Sequence, residues 1–269
     1  STAGTYSVCL NVTNAAGEEA YRTNLNYIKV GPPIAYVSQT GSHTFPYMNW
    51  ADAATNIQDA VDMGADGTVV LLTNGTYTLT NQILITNDGV TVSSVNGADV
   101  TTIDGQDSVR CFYLSHSNAV VDKLTITKGN AGSDSGGGVY FDGSGGIPCR
   151  SGGTVQNCLI ISNTAYHGGG AYIYAYGTVT NCTLTENTAY SYGGAAYFYG
   201  GGTVENCIIT TNTAGYGGGV RFTYGGTLHN CLISGNLATL YGGGIFTEWG
   251  CTVENCTIVS NSANRYTGG

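Results

Sequence analysis

Glu205, His229 and Glu254 stand 24 and 25 residues apart, each directly before an Asn-Cys pair. Two carboxyl groups flanking an imidazole could work as a general acid–base pair or hold a metal ion. That chemistry requires a fold in which two dozen residues bring the chain back over itself. At the spacing of adjacent strands the carboxylates would stand about 9–10 Å apart, near the upper limit for an inverting glycosidase pair. The plainer expectation for single polar residues on a polar face is solvent exposure. Asp99, Asp104 and Asp107 form a second acidic group with Arg110 nearby, although Asp104-Gly105 also reads as a simple turn.

Aromatic residues are the other unusual feature: the chain has 20 tyrosines. The same spacing aligns Tyr140, Tyr172, Tyr197, Arg221 and Phe246 in one outward column. His167, Tyr192, Tyr216 and Tyr241 align in a corner column. Stacked rings stabilise a repetitive fold by about 0.5–1.5 kcal/mol per pair beyond burial. Flat aromatic faces also bind sugar rings or pack on other subunits. Tyr140, Tyr172, Tyr197, Tyr192, Tyr216 and Tyr241 are therefore the candidate binding residues. Asn11 and Asn74 open Asn-x-Thr motifs and are candidate glycosylation sites. Asn181 and Asn255 match the same motif, but they belong to the repeat and are expected to be occupied structurally.

The repeat is what must position all of these. Asn-Cys recurs at 157/158, 181/182, 206/207, 230/231 and 255/256. A second Asn follows at 163, 187, 212, 236 and 261, and glycine clusters precede each unit. One unit carries an insertion within residues 142–153. Each unit holds two short β-type runs, such as Ala171-Tyr-Ile173 and Thr154-Val-Gln-Asn-Cys-Leu-Ile160. The alternation changes parity between Asn157 and Cys158, which marks a bend, and Asn tolerates the left-handed conformation a bend needs. A coil this short cannot bury its own apolar face, so the coils must stack, each strand pairing in parallel with the next at about 4.8 Å. The fold expected is an all-β parallel β-helix of about eight coils. Val155, Val179, Val204, Leu228 and Val253 form one inward ladder, and Cys158, Cys182, Cys207, Cys231 and Cys256 another. The asparagine columns can pass amide hydrogen bonds from coil to coil.

The first half reads as a degraded version, with strands at 69–72, 83–85, 90–92 and 124–126. Asn49 to Met63 reads as one helix, capped by Asn49 and apolar on the face of Trp50, Ala53, Ala54, Ile57, Ala60 and Val61. It would cover the open end of the first coil. The resulting division is residues 1–31 as two N-terminal strands, 32–66 as linker and capping helix, and 67–269 as β-helix. The chain starts at Ser1, and Tyr266–Gly269 reads as the opening of another repeat, as expected for a segment of something longer.

The alternation of Gly-Gly-[Gly/Ala]-[Val/Ala/Ile] with [Ile/Leu/Val]-x-x-Asn-x-Ala resembles the repeats of chlamydial polymorphic outer-membrane-type β-helix proteins. Trp50-Ala-Asp-Ala-Ala-Thr-Asn-Ile-Gln-Asp-Ala-Val, then Val70-Leu-Leu-Thr-Asn-Gly-Thr-Tyr77, then Thr102-Ile-Asp-Gly105 resemble bacterial secreted right-handed parallel β-helix repeat proteins. These resemblances cover roughly residues 35–269. They imply a right-handed helix and a wider superfamily of adhesins, pectin-active enzymes and phage tailspikes, so they fix fold and leave function open. Thr2 to Val30 resembles the last strands of a PKD-type immunoglobulin-like spacer domain. Two strands alone are marginal, so they are expected to pack on the β-helix or on strands from another chain.

Composition narrows the partners. The net charge is −9 and charged residues make up 9%, so there is no basic footprint for nucleic acid. No apolar run approaches the ~18 residues of a membrane-spanning helix. No Gly-Lys-Ser/Thr phosphate loop occurs, the cysteine spacing matches no zinc motif, and no cofactor or metal is assigned. Nine cysteines leave at least one unpaired; the five in the ladder read as buried thiols, and the pairing of Cys9, Cys111, Cys149 and Cys251 stays open. The function expected is a non-catalytic, extracellular or cell-surface structural rod of an adhesin, stalk or fibre. Its partners would be copies of itself, neighbouring surface-protein domains or polysaccharide. The alternatives are a polysaccharide-active lyase or glycoside hydrolase on the same fold, and a carbohydrate-binding module using the tyrosine ladders.

Overall fold

The computed structural model describes residues 3–86, 89–143 and 152–265. It begins with an antiparallel hairpin of β1 (Gly4–Thr13) and β2 (Glu19–Val30). Everything after it is a parallel β-helix. Its strands line up in sheets of nine, eight, seven and five, each pairing with its counterpart one coil away. The seven-stranded sheet limits the number of complete turns to seven, one fewer than expected.

The solenoid also starts earlier than residue 67. Strand β3 (Ile34–Val37) lies at the edge of the nine-stranded sheet, paired in parallel with β4 (Val69–Leu72). The segment expected to be linker therefore supplies the first rung. The helix is shorter than expected: only α1 (Ile57–Met63) forms, capped by the Asn56 side chain, which accepts from Gln58 N. Asn49 does accept from Asp52 N at 3.0 Å, as a cap would. Residues 51–55, however, are claimed by β-type partners. Ser42 N, His43 N and Thr44 N donate to Ala51, Ala53 and Asp52 carbonyls, and Ala54 N donates to Tyr36 O. Those bonds outcompete an isolated helical turn, whose nucleation is costly. The buried face of Ile57, Ala60 and Val61 packs on the first coil, as a cap should.

In the regular turns each unit has four short strands where two runs were expected. One turn runs through Thr178–Thr180, Thr183–Thr185, Thr188–Tyr192 and Ala196–Phe198. The breaks fall at left-handed residues: Asn181 at φ 53°, Glu186 at 56° and Gly193 at 62°. Asn157, Asn206, Asn230 and Asn255 share the first bend at φ 52–53°. At Gly193 a Cβ would run into the Ala196 carbonyl, so the corner needs both the positive φ and the missing side chain. The insertion at 142–153 falls mostly on residues 144–151, and it lies, with Cys149 and Tyr266–Gly269, outside the described residues.

The lumen is packed by stacked rungs. Val155, Val179, Val204 and Leu228 are fully buried; Cys158, Cys182, Cys207 and Cys231 are almost so. Phe198 and Phe222 stack at 4.7 Å. Burial raises the thiol pKa of Cys111, while in the ladder hydrogen bonding from the preceding thiol raises Cys182, Cys207 and Cys231 most, with burial adding to it. The inner asparagine column is the polar counterpart. Asn163, Asn187, Asn212 and Asn236 are 0% exposed. Each Nδ2 donates to the next Oδ1, with Asn212 to Asn236 at 2.9 Å, and each backbone N donates to that same oxygen. Every buried amide is thereby satisfied, avoiding a cost of about 1–3 kcal/mol per orphaned group. The Asn-Cys column does not behave this way. Its asparagines are exposed bend residues, so Asn181 and Asn255 are not held in the amide ladder.

Candidate functional site

The repeat does bring Glu205, His229 and Glu254 into one row. Glu205 pairs in register with His229, and His229 with Glu254, on the nine-stranded sheet. His229 Nδ1 lies 3.8 Å from Glu254 Oε2, with side chains 34% and 64% exposed. The row is an open surface strip in which solvent screens each charge. Among the described residues no group of three His, Cys, Asp or Glu is placed to hold a metal.

The second acidic group does not assemble around Arg110. Asp104 is buried, accepts from Gln106 N at 2.8 Å as a turn residue does, and pairs with Lys128 at 3.2 Å. Arg110 instead clamps the neighbouring turn. Its Nη2 donates to Asp134 at 2.7 Å, its Nε to the Ser135 and Gly136 carbonyls, and its guanidinium lies 4.9 Å from the Tyr140 ring. Sequence reading missed another buried carboxylate, Asp122. Asp122 is buried and accepts from Ser93 Oγ at 3.0 Å and Asn157 Nδ2 at 2.7 Å. No periodic signal marks it, because its partners come from coils of unequal length.

The aromatic columns form a continuous flank. On the seven-stranded sheet Tyr113, Tyr140, Tyr172, Tyr197, Arg221 and Phe246 succeed one another in register. They point away from the lumen, as expected, but Tyr172 and Tyr197 are only 8% and 4% exposed. The corner column covers Tyr197, which Tyr192 meets edge-on at 5.5 Å and His167 approaches at 5.5 Å, while Tyr172 is held between Tyr140 at 5.0 Å and Tyr197 at 5.3 Å. Tyr172 and Tyr197 therefore act as a second, outer core and cannot reach a ligand. Burial, with Asp142 and Asp134 adding to it, pushes the Tyr140 phenol up to about 12. Of the candidate binding residues, Tyr140, Tyr192, Tyr216 and Tyr241 are half-buried.

Arg221 replaces a tyrosine in this column and is 3% exposed. Its guanidinium lies 3.7 Å from the Tyr192 ring centroid and 5.1 Å from Phe246, and its Nη2 donates to Glu248 at 2.6 Å. Burial and the Arg221 charge together hold His167 below the ordinary histidine pKa.

A third column, unassigned by the sequence reading, runs along the outer edge: Tyr174, Tyr199, Tyr224 and Trp249. It is exposed at 36%, 36%, 61% and 67%. The signal was present, since these four aromatics are each 25 residues apart. Of the glycosylation candidates, Asn11 lies in β1 opposite Tyr21, and Asn74 is exposed and accepts from Asn96 Nδ2 at 2.8 Å.

The closed parallel stack defines the class of protein. Residues 110–268 match the family model of the right handed beta helix region, and the chain belongs to that family. Among solved structures it is similar to pectate lyase Pel9A, with a TM-score of 0.54 and 18% identity, over 82% of this chain and 62% of that one. It is also similar to a pectin methylesterase from Aspergillus niger, with a TM-score of 0.49 and 13% identity, over 88% and 90%. A rhamnogalacturonan lyase gives a TM-score of 0.46 at 12% identity, over 82% and 62%. At these identities the likeness is one of fold, and the chain spans 62% of the length of the pectate lyase. No curated protein matches it.

Proposed function

We propose that this β-helix is a rigid extracellular scaffold that engages a polysaccharide along its aromatic flank. The observation that carries this reading is the flank itself. Three aromatic columns lie side by side across consecutive coils, and only the inner one is accounted for by burial. An aromatic strip of this kind is a tolerant platform for sugar rings, whose C–H faces pack on flat apolar surfaces. The pectate lyase that shares the fold is named for a polysaccharide, which makes such polymers the first ligands to try. Binding of the intact chain to a panel of plant and bacterial polysaccharides tests the reading. Loss of binding in Tyr216→Ala and Tyr241→Ala supports it; no binding to any glycan ends it.

Cleavage of the bound polymer is a second reading, favoured by the in-register row of Glu205, His229 and Glu254. Reducing or unsaturated ends that disappear in Glu205→Gln or Glu254→Gln would establish it. The non-catalytic surface rod rests on the same stiffness, supplied by the amide and thiol ladders. Electron microscopy at high concentration separates its self-assembling form from a monomeric binder, and membership of an adhesin or stalk follows only if filaments form.

A further inference from the structure

The end of the solenoid that carries α1 is closed on two faces and open on a third. On the nine-stranded sheet β3 supplies the first rung over β4. The chain then leaves the coil through residues 38–56 and returns as α1, which packs on β3, β4 and the edge strand of the seven-stranded sheet, Ile83–Ile85. There the Gln58 side chain stands in for a strand. Its Oε1 accepts from Leu84 N at 2.8 Å and its Nε2 donates to Leu84 O at 3.1 Å. The eight-stranded sheet lacks an equivalent rung. It ends at β5 (Gly75–Thr78), which pairs with Thr101–Asp104 on one side only, and a groove of about 450 Å³ lies against it.

Leu79 N donates to Asp104 O, so Tyr77, two residues earlier, also turns its backbone groups to that strand, and Thr76 and Thr78 turn theirs to the open side. Thr76 O accepts from Gln39 Nε2, which agrees with that direction. Among the described residues no partner meets the Thr78 N–H or C=O across this edge. An open strand edge is a template for a further strand. The molecule also shows which chemistry such an edge takes: over β4, at Leu84 and at Thr76 the partner is an amide, from backbone or from side chain. Apolar Ile57, Tyr77 and Leu79 line the groove together with Asn56 and Asn81. Among the described residues its one charged side chain is Asp59, which lies 3.4 Å from His43. An uncharged peptide with an apolar residue turned inward suits this lining. Later coils fill the same sheet with that pattern, as in Thr125-Ile-Thr127 and Thr183-Leu-Thr185, whose central residues are buried.

We propose that the β5 edge docks an extended, uncharged peptide segment of another protein, which adds the missing rung in parallel. Its inward residue donates its N–H to Thr76 O, displacing Gln39, and accepts from Thr78 N at its carbonyl. This does not depend on the polysaccharide reading above. The probe is the peptide acetyl-Gly-Thr-Ile-Thr-Gly-amide added to the intact chain, with amide hydrogen exchange and calorimetry as readouts. At millimolar peptide Thr78 N–H should exchange at least about tenfold more slowly. N-methylation at the Ile removes the donor to Thr76 O and should weaken binding about tenfold. N-methylation at the second Thr, whose N–H faces away from β5, should leave binding unchanged. Thr78→Pro removes the facing donor and is tolerated at a sheet edge, so it should weaken binding about tenfold while the pairing with Thr101–Asp104 persists. Gln39→Ala clears Thr76 O and should tighten binding about threefold. Unchanged exchange at Thr78 in the presence of peptide, or equal binding of the two N-methylated peptides, overturns the proposal. Protection of Thr78 that rises with protein concentration alone also overturns it, by assigning the edge to a second copy. Protection by a neutral glucan and none by the peptide does the same, by making the groove a sugar site.

Discussion

The turns before residue 128 and those after residue 153 solve the same problem with different chemistry. In the later turns Thr154, Thr178, Thr203, Thr227 and Thr252 share one register position, 24 or 25 residues apart. Equal coils let one side chain serve both neighbours, so a single asparagine column satisfies the buried polar groups from coil to coil. In the earlier turns Thr91, Val120 and Thr154 share that position at intervals of 29 and 34. Unequal coils interrupt a ladder, and polar needs are met by individually fitted ions: Asp122 with Ser93 and Asn157, Asp104 with Lys128, Arg110 with Asp134. Regular spacing supports cooperative columns, whereas irregular spacing requires local pairs.

That contrast is broken most directly at the centre of the amide ladder. Asn212→Ala orphans the Asn187 donors and the Leu184 and Thr210 carbonyls. We expect a loss of about 2–5 kcal/mol in denaturant unfolding, from two or more groups at roughly 1–3 kcal/mol each. Asn74→Ala, an exposed residue of the early turns, should stay within about 0.5 kcal/mol of the parent.

The two buried arginines sharpen it next. Arg110 donates to Gln82, Asp134 and two carbonyls, while the Nε of Arg221 is buried without a partner and its Glu248 is 43% exposed. Arg110→Met should therefore cost about 2–3 kcal/mol and Arg221→Met less than about 1, since an exposed carboxylate rehydrates when its partner is removed. Equal losses would show that the Arg221 cage carries more energy than its contacts imply.

Acid provides a smaller test. His167 is held toward its neutral form by burial and by Arg221, with its folded pKa below the ordinary histidine value. Between those two values the unfolded chain binds the extra proton, so stability is full above the unfolded pKa and declines as pH falls through it. Thermal melts should drop between neutral pH and pH 5, less so in His167→Phe. A melt with the same acid slope in both proteins would assign the effect elsewhere.

Thiol chemistry compares the hairpin with the ladder. Cys9 is exposed in the hairpin, whereas Cys158, Cys182, Cys207 and Cys231 are buried. Native labelling should modify Cys9 within the time that leaves the ladder untouched, and Cys207→Ala should cost about 1–2 kcal/mol as a small cavity. Fast labelling at Cys207 would mean that the coils open locally.

The hairpin shows how far local pattern can be trusted. The two strands were legible, and they pair as expected. Their apolar side chains Tyr6, Val8, Leu10, Val12 and Ile28 remain exposed, so they do not pack on the β-helix as the sequence reading had allowed. The capping helix was placed correctly and drawn too long, because the backbone partners that straighten residues 51–55 come from residues 36–44.

The sequence by itself determined the parallel stack, the bend at each Asn-Cys pair and the row of Glu205, His229 and Glu254. These follow from spacing, and spacing survives in one dimension. Tertiary structure alone decided which rings meet solvent. Tyr172 and Tyr174 are two residues apart, yet the first is enclosed between Tyr140 and Tyr197 at 8% exposure, while the second stacks on Tyr199 at the edge and stays 36% exposed. Exposure depends on what the neighbouring coils lay over a side chain, and that is fixed only when the coils close.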